Sequence, residues 1–261
     1  MANIKDALFE VHELEELALR DLEINRVHPL AKLLITISYM VLVVSYHKYD
    51  IWGLLPLIIY PIVLMRLSEI SLKDCFRKIR GILPLILFIG LFNPFLDREV
   101  LFMAGKLPIT GGILSFLTLF LKGAYCLFAS FLLIATTGIE GVCYSLRLLK
   151  LPGILVNQFL LTYRYITVLM KEANAVYQAY SLRAPGEKGV KYKIWGSLLG
   201  QLFLRSIDRA GNLYESMLLR GFEGEYYLTG KRKAEGKDYA YFVLWAGIFL
   251  ILRVGIRYLM K

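Results

Sequence analysis

The chain has 261 residues, of which 57% are hydrophobic, with a mean hydropathy of +0.55 and a formal net charge of +10. The apolar residues come in blocks, whereas a soluble domain of this size would be nearer half apolar with evenly spread charges, so a polytopic membrane protein is indicated. In such a protein, excess lysine and arginine mark cytoplasmic loops, and the charge is therefore not interpreted as nucleic-acid binding.

The first segment, residues 1–28, is acidic and has no continuous apolar core, so it is not interpreted as a signal peptide. Ile4, Leu8, Val11 and Ala18 recur at helical spacing, which predicts a short amphipathic helix. Because its polar face is acidic, packing on protein is favoured over packing on the membrane surface.

Five apolar blocks follow, and a span needs about 20 residues. They are residues 31–46, 51–65, 81–95, 113–137 and 239–260. The fourth and fifth are long enough, and the first is if its flanks are included. The second and third are short and contain prolines, so each is either a kinked span or a re-entrant segment.

Basic residues give these blocks an orientation. Five of them lie between the second and third blocks: Arg66, Lys73, Arg77, Lys78 and Arg80. A second basic run follows the fourth block. Five spans with the N-terminus inside place both runs in the cytoplasm, at the cost of leaving Arg257 and Lys261 outside. We therefore predict an all-α polytopic membrane protein with about five transmembrane helices.

Residues 138–238 are too charged to span a bilayer, yet they are rich in apolar residues. One long helix is predicted from Pro152 to Pro185-Gly186, and a second one ends at Gly221, a residue suited to a left-handed helix end. The predicted organisation has three parts: a membrane part at 1–137 with about four spans, a cytoplasmic module of long helices at 138–238, and a last transmembrane helix at 239–261.

Known catalytic and nucleotide-binding patterns are absent from the sequence: it contains no HExxH, GxSxG or Walker motif. Its three cysteines form no CxxC pair, and its three histidines are far apart. We therefore predict no catalytic, cofactor-binding or metal-binding residue in this chain. Lys122, in the fourth block, is the one charge expected to be buried, and it fits either a functional role, such as a subunit interface, or snorkelling towards a headgroup.

Arg183 and Arg220 lie at the predicted ends of the two long helices. A cation there complements the helix dipole, which stabilises a helix by about 0.3–1 kcal/mol. A helix of about 25 residues is near 37 Å long, so the C-termini of antiparallel or crossing helices project tens of ångströms apart. Such a pair suits a dimeric partner that presents two similar acidic grooves, because each guanidinium can bind a carboxylate bidentately.

Three stretches carry a family resemblance: "RVHPLAKLL" at 26–34, "LLTYRYITVLMKEA" at 160–173 and "FLRSIDRAGNLYESMLLRGFEG" at 203–224. They resemble the CbiQ family, the transmembrane (T) components of energy-coupling factor (ECF) transporters for cobalt or nickel. In that family, two Ala-Arg-Gly-like motifs at the tips of coupling helices dock into the grooves of an ATPase pair. The matching triplets here are Leu182-Arg183-Ala184 and Leu219-Arg220-Gly221, which replace the first alanine with leucine in both motifs and the glycine with alanine in the first.

The resemblance implies a multi-pass subunit of the cell inner membrane that transmits the motion of two cytoplasmic ABC ATPase subunits to a separate substrate-binding (S) membrane subunit. The chain itself would bind no cofactor, because ATP is used by the ATPase subunits, and it would bind no nucleic acid. A T component for a vitamin is the near alternative. A membrane-embedded enzyme acting on anionic lipids is a remote one, since Glu140 is the single acid at the expected membrane boundary.

Overall fold

The computed structural model describes residues 12–13, 15–93, 100–104, 107–186, 189–224 and 235–259. Helices account for most of these residues, which confirms the all-α prediction. The elements are α1 (Glu23–Arg26), α2 (Pro29–Ser45), α3 (Ile51–Leu54) with a 3-10 turn (Leu55–Ile58), α4 (Ile59–Leu67), α5 (Leu72–Ile79), α6 (Leu83–Gly90), β1 (Val100–Ala104), β2 (Leu107–Thr110), α7 (Gly111–Leu148), α8 (Gly153–Arg183), α9 (Tyr192–Leu219) and α10 (Gly236–Leu259).

A short β-hairpin was not predicted. Strand β1 pairs antiparallel with β2, and the register is irregular between Val100 and Phe102. Strands of five and four residues are too short to show a clear alternation of apolar and polar residues, so sequence periodicity does not separate them from a loop.

At the N-terminus, residues 15–19 are helical, in agreement with the predicted amphipathic helix at Ala18. The positions Ile4, Leu8 and Val11 of that prediction lie outside the described residues.

The chain folds into two compact units. We call Leu17–Gly138 with Arg232–Lys261 the apolar-helix unit, and Met1–Glu16 with Ile139–Lys231 the long-helix unit. The three-part division given by the sequence, with its assignment to membrane and cytoplasm, stays a prediction.

In the apolar-helix unit, α2 and α10 pack around a cluster of buried aromatic rings. The Tyr39 and Tyr60 rings lie 4.5 Å apart, and Trp245 meets Tyr60 edge-on at 4.8 Å. Pro61 has no N–H to donate to the Leu57 carbonyl four residues earlier, and the Tyr39 hydroxyl donates to that carbonyl at 2.9 Å. The proline-rich second block is therefore held by its neighbour α2.

The number of membrane crossings rests on length and apolar character. Within the described residues, α7 and α10 are each long and apolar enough to cross a bilayer. Residues 51–67 with α5 add a third crossing if this pair, bent by 113°, is counted as one span. Helix α2 has 17 residues, the lower limit for a span. The five predicted spans stay a prediction.

The main segment of the long-helix unit, Ile139–Lys231, follows a break in α7. Gly138 has φ 69° and ψ 161°, far from helical values, so α7 is two helices joined at this residue. Helix α8 begins after Pro152 and ends at Arg183, and α9 ends just before Arg220. The ends predicted for both long helices are confirmed.

Candidate functional site

Helices α8 and α9 run antiparallel within the long-helix unit, and two polar contacts show this. Glu172 forms an ion pair with Arg209, and the Asn157 side-chain amide donates to the Gly224 carbonyl at 2.9 Å. From the first contact to the second, the chain moves 15 residues towards the N-terminus on α8 and 15 residues towards the C-terminus on the α9 side. The second contact thus lies nearer the N-terminus of α8 and just beyond the C-terminus of α9, so the two helices run in opposite directions.

The two predicted arginines lie at opposite ends of this pair. Glu172 precedes Arg183 by eleven residues, and Arg209 precedes Arg220 by the same number. At 1.5 Å per residue, each arginine is about 16 Å along its own helix axis from the ion pair, and the two lie in opposite directions from it. Both arginines are exposed. The structure therefore places the candidate residues in two separate clusters, which we call tip 1 (182–184) and tip 2 (219–221).

Tip 2 is fixed by local backbone chemistry. The Gly221 N–H donates to the Leu218 carbonyl at 2.9 Å, and the Phe222 N–H donates to the Met217 carbonyl at 3.0 Å. These two bonds form a Schellman motif, which requires a left-handed residue after the C-cap, and Gly221 supplies it with φ 78°. Arg220 is the C-cap residue itself, so its guanidinium projects from a rigid helix end.

Tip 1 ends differently, which accounts for its alanine. Ala184 has φ −126° and donates its N–H to the Tyr180 carbonyl at 3.1 Å, so no left-handed residue is needed at this position. Pro185 follows and cannot extend the helix, and Gly186 takes the left-handed conformation with φ 96°. The glycine of the family motif is therefore dispensable here, because the left-handed residue has moved two positions along.

An exposed leucine precedes the arginine in each tip. Leu182 is 82% exposed and Leu219 is 90% exposed. Each tip thus presents the same pair of groups, an exposed leucine side chain and a guanidinium. Two such matching surfaces suit a partner with two equivalent sites.

A groove of about 790 Å³ runs between the N-terminal half of α8 and the C-terminal half of α9. Its walls are mainly apolar, and Asn157 and Arg209 are among its lining residues. Among the described residues, no three His, Cys, Asp or Glu side chains form a group that could hold a metal ion.

Lys122 binds the end of a neighbouring helix within the apolar-helix unit. Its ammonium group donates to the carbonyl of Val44 at 3.2 Å and to that of Tyr46. These carbonyls lie at the C-terminus of α2, where backbone acceptors lack helical donors and the helix dipole favours a cation. This contact accounts for the charge without a partner subunit. A role of Lys122 at a subunit interface stays a prediction.

The expectation that Lys122 is the one buried charge was wrong, because Lys32 and Asp238 are 4% and 3% exposed. Lys32 donates to the Thr136 carbonyl, and Asp238 accepts from the backbone N–H groups of His28 and Glu235. Lys32 lies three residues after Pro29, the first residue of α2. A charged residue at the start of an apolar block was therefore the sequence feature that could have identified this buried charge. Asp238 gave a weaker signal, as an acid in the first turn of α10.

Together, the apolar helices α7 and α10 and the unit with two arginine-bearing tips define an all-α membrane protein with a separate pair of long helices. The chain belongs to the CbiQ family, because the family model described as cobalt transport protein matches residues 23–229.

The chain is also similar to several named proteins. The energy-coupling factor transporter transmembrane protein EcfT of Lactococcus lactis is 29% identical over 219 residues, which cover 77% of this chain and 80% of that protein. EcfT of Bacillus subtilis is 25% identical, with coverage of 82% and 87%. The nickel permease LarQ of Lactiplantibacillus plantarum is 29% identical, but over only 40% of this chain and 38% of its own length.

Proposed function

We propose that this protein is the transmembrane T component of an ECF-type importer. Membership of the CbiQ family supports this role, as does the similarity to EcfT proteins over about four fifths of their length. In this role the chain is a transporter subunit without an ATPase site of its own. It lies in the cell inner membrane with its N-terminus in the cytoplasm.

The observation that carries the proposal is the pair of matching tips. Leu182-Arg183 and Leu219-Arg220 are exposed at opposite ends of one antiparallel helix pair. Two cytoplasmic ABC ATPase subunits offer two equivalent grooves, and each tip would insert its leucine and pair its arginine with an acidic group there. Ala184 and Gly221 would complete the docking surface, because each ends its helix directly after the arginine.

The mechanism follows from the stiffness of the helices. ATP binding and hydrolysis in the ATPase pair would change the distance between its two grooves. Since each tip ends a helix of about 30 residues, a displacement at the arginine is carried along the helix axis rather than absorbed by a loop. The membrane part would pass this motion to a separate substrate-binding S subunit, which captures the cargo.

For the cargo we propose cobalt or nickel. The description of the family and the partial similarity to a nickel permease support a metal. The second candidate is a vitamin, because the relatives named only as energy-coupling factor components leave the cargo unstated. Uptake assays in cells that carry the complete importer decide between them. Uptake of cobalt or nickel that depends on this chain supports the metal, and uptake of a vitamin alone contradicts it.

The docking role is tested by a pull-down of the ABC ATPase pair from the same organism in detergent. Arg183→Glu, Arg220→Glu and the double variant are compared with Arg164→Glu and Arg205→Glu, which reverse exposed arginines on the same two helices away from the tips. We expect the double variant to lose the ATPase pair while remaining monodisperse, and the two control variants to keep it. Equal binding by all variants would overturn the docking role.

A further inference from the structure

The ion pair between Glu172 and Arg209 lies midway between the two tips. The Glu172 side chain is only 19% exposed and that of Arg209 is 42% exposed. The second carboxylate oxygen of Glu172 is buried and has no hydrogen-bond partner among the described residues. A carboxylate withdrawn from water in this way depends on its cation, so Arg209 is the group that makes a charge at position 172 tolerable.

An open groove lies between α8 and α9, on the N-terminal side of Glu172 in α8. The groove of about 790 Å³ opens between α8 and α9 from Asn157 and Gly224 towards Arg209. Interdigitated side chains normally fix both the distance and the register of a helix pair. Beside this groove, specific polar contacts also join the two helices near its two ends: Asn157 with Gly224, and Glu172 with Arg209. These contacts specify the register because each joins one atom to one partner.

We propose that Glu172 and Arg209 are positioning residues for two-point docking. In the free chain they set the distance between Arg183 and Arg220, so that both tips meet their grooves at the same time when the chain first docks. The inference rests on the proposed function. Its physical basis is avidity: once one tip has docked, the second binds as an intramolecular step, and this advantage is lost when the spacing does not match.

The first experiment measures the spacing itself. Spin labels on Leu182→Cys and Leu219→Cys, at exposed positions of the two tips, report the tip-to-tip distance by pulsed electron paramagnetic resonance in a background whose three native cysteines are replaced by alanine. We expect one narrow distribution for the parent chain. Glu172→Gln, which keeps the side-chain shape and removes the charge, should broaden or shift it. An unchanged distribution would overturn the inference.

The second experiment uses charge exchange in the complete complex with the ABC ATPase pair. Glu172→Arg and Arg209→Glu each place like charges at the contact, and the double exchange restores opposite charges. We expect each single variant to weaken binding of the ATPase pair by about tenfold or more. The double exchange should recover both the narrow distance and the affinity. If it recovers neither while the single variants remain folded, the pair does not act through its charge and the proposal fails.

The two proposals fail separately. If Arg183→Glu with Arg220→Glu leaves ATPase binding intact, the docking function itself is wrong, whatever the spin labels report. If those tip variants abolish binding but Glu172→Gln changes neither the distance distribution nor the affinity, docking stands and the positioning role alone is wrong. Glu215→Gln, at an exposed acid on α9, is the control for removal of a charge from this helix pair.

Discussion

The ammonium nitrogen of Lys32 lies 2.8 Å from the carbonyl oxygen of Thr136, 104 positions along the chain. Thr136 lies two residues before Gly138, where α7 is broken. The break ends a helical segment inside the protein, and the last carbonyls of such a segment need donors from elsewhere. A buried lysine supplies one, and its positive charge also complements the negative end of the segment's dipole. Lys122 donates in the same way to a carbonyl at the end of α2. Two lysines of the apolar-helix unit therefore bind the free carbonyls at helix C-termini.

Replacement of Lys32 by methionine keeps most of the side-chain volume and removes the donor. Because the Thr136 carbonyl then loses a charge-assisted hydrogen bond at a buried position, we expect the free energy of unfolding to fall by about 1.5–3 kcal/mol. Thermal unfolding in detergent measures the change. Lys73→Met, the same substitution at an exposed position, should leave the unfolding midpoint within error. Equal stability of the two variants would show that the Lys32 contact contributes nothing.

A second buried group, Asp238, joins two helix N-termini. One carboxylate oxygen accepts from the His28 N–H before α2, and the other accepts from the Glu235 N–H before α10, both at 2.8 Å. We expect Asp238→Asn to destabilise the protein by about 1–3 kcal/mol, because its NH2 group faces a backbone donor where an acceptor is needed. Chemical unfolding of Asp238→Asn beside the exposed control Asp208→Asn gives the difference. Asp238→Asn with the stability of the parent chain would mean that one oxygen suffices for both helices.

The parts of this protein that could be predicted from sequence are those set by neighbouring residues. Pro152, Pro185 and Gly221 act on the backbone next to them, and the ends of α8 and α9 fall where these residues indicate. The apolar blocks likewise predicted the positions of the main helices of the apolar-helix unit. The contacts of Lys32 with Thr136 and of Asp238 with His28 could not be predicted, because the partners lie 104 and 210 positions apart and their pairing is a property of the packed fold.

The candidate site shows the same division. Both arginines and their place at helix ends were predictable, since the last turn of a helix and its stop signal are local. The pairing of Glu172 with Arg209 was not, although both residues lie on polar positions of predicted helices. Only the antiparallel register brings them together, and nothing in either helix by itself specifies that register.

We expect ionisation of the Tyr163 hydroxyl to make the stability of the long-helix unit depend on pH in the alkaline range. Burial, with a smaller contribution from Glu15, raises the pKa of its hydroxyl from 10 to about 12. The folded state therefore holds this proton more tightly than the unfolded state, and the stability it contributes is complete below pH 10 and is lost as the pH rises towards about 12. We expect the unfolding midpoint to fall less steeply over this range in Tyr163→Phe than in the parent chain. Parallel pH profiles would contradict the assignment.

The left-handed backbone conformation of Gly221 holds the helix end that presents Arg220 in tip 2. Its φ of 78° is strained for any residue with a Cβ, although a Cβ there would meet no atom within 4 Å. Gly221→Ala should therefore cost about 1 kcal/mol through the backbone alone and loosen the helix end that holds Arg220. Ala184→Gly is the matched exchange at tip 1, where φ is −126° and no left-handed residue is required.

We expect Gly221→Ala to weaken binding of the ABC ATPase pair severalfold and Ala184→Gly to change it little, as measured by titration of the detergent-solubilised protein with the ATPase pair. This asymmetry separates backbone geometry from side-chain contact, because both substitutions alter a single methyl group beside an arginine. If instead Ala184→Gly weakens binding and Gly221→Ala does not, the methyl group of Ala184 itself contacts the partner, and the rigid end of α9 is not what presents Arg220.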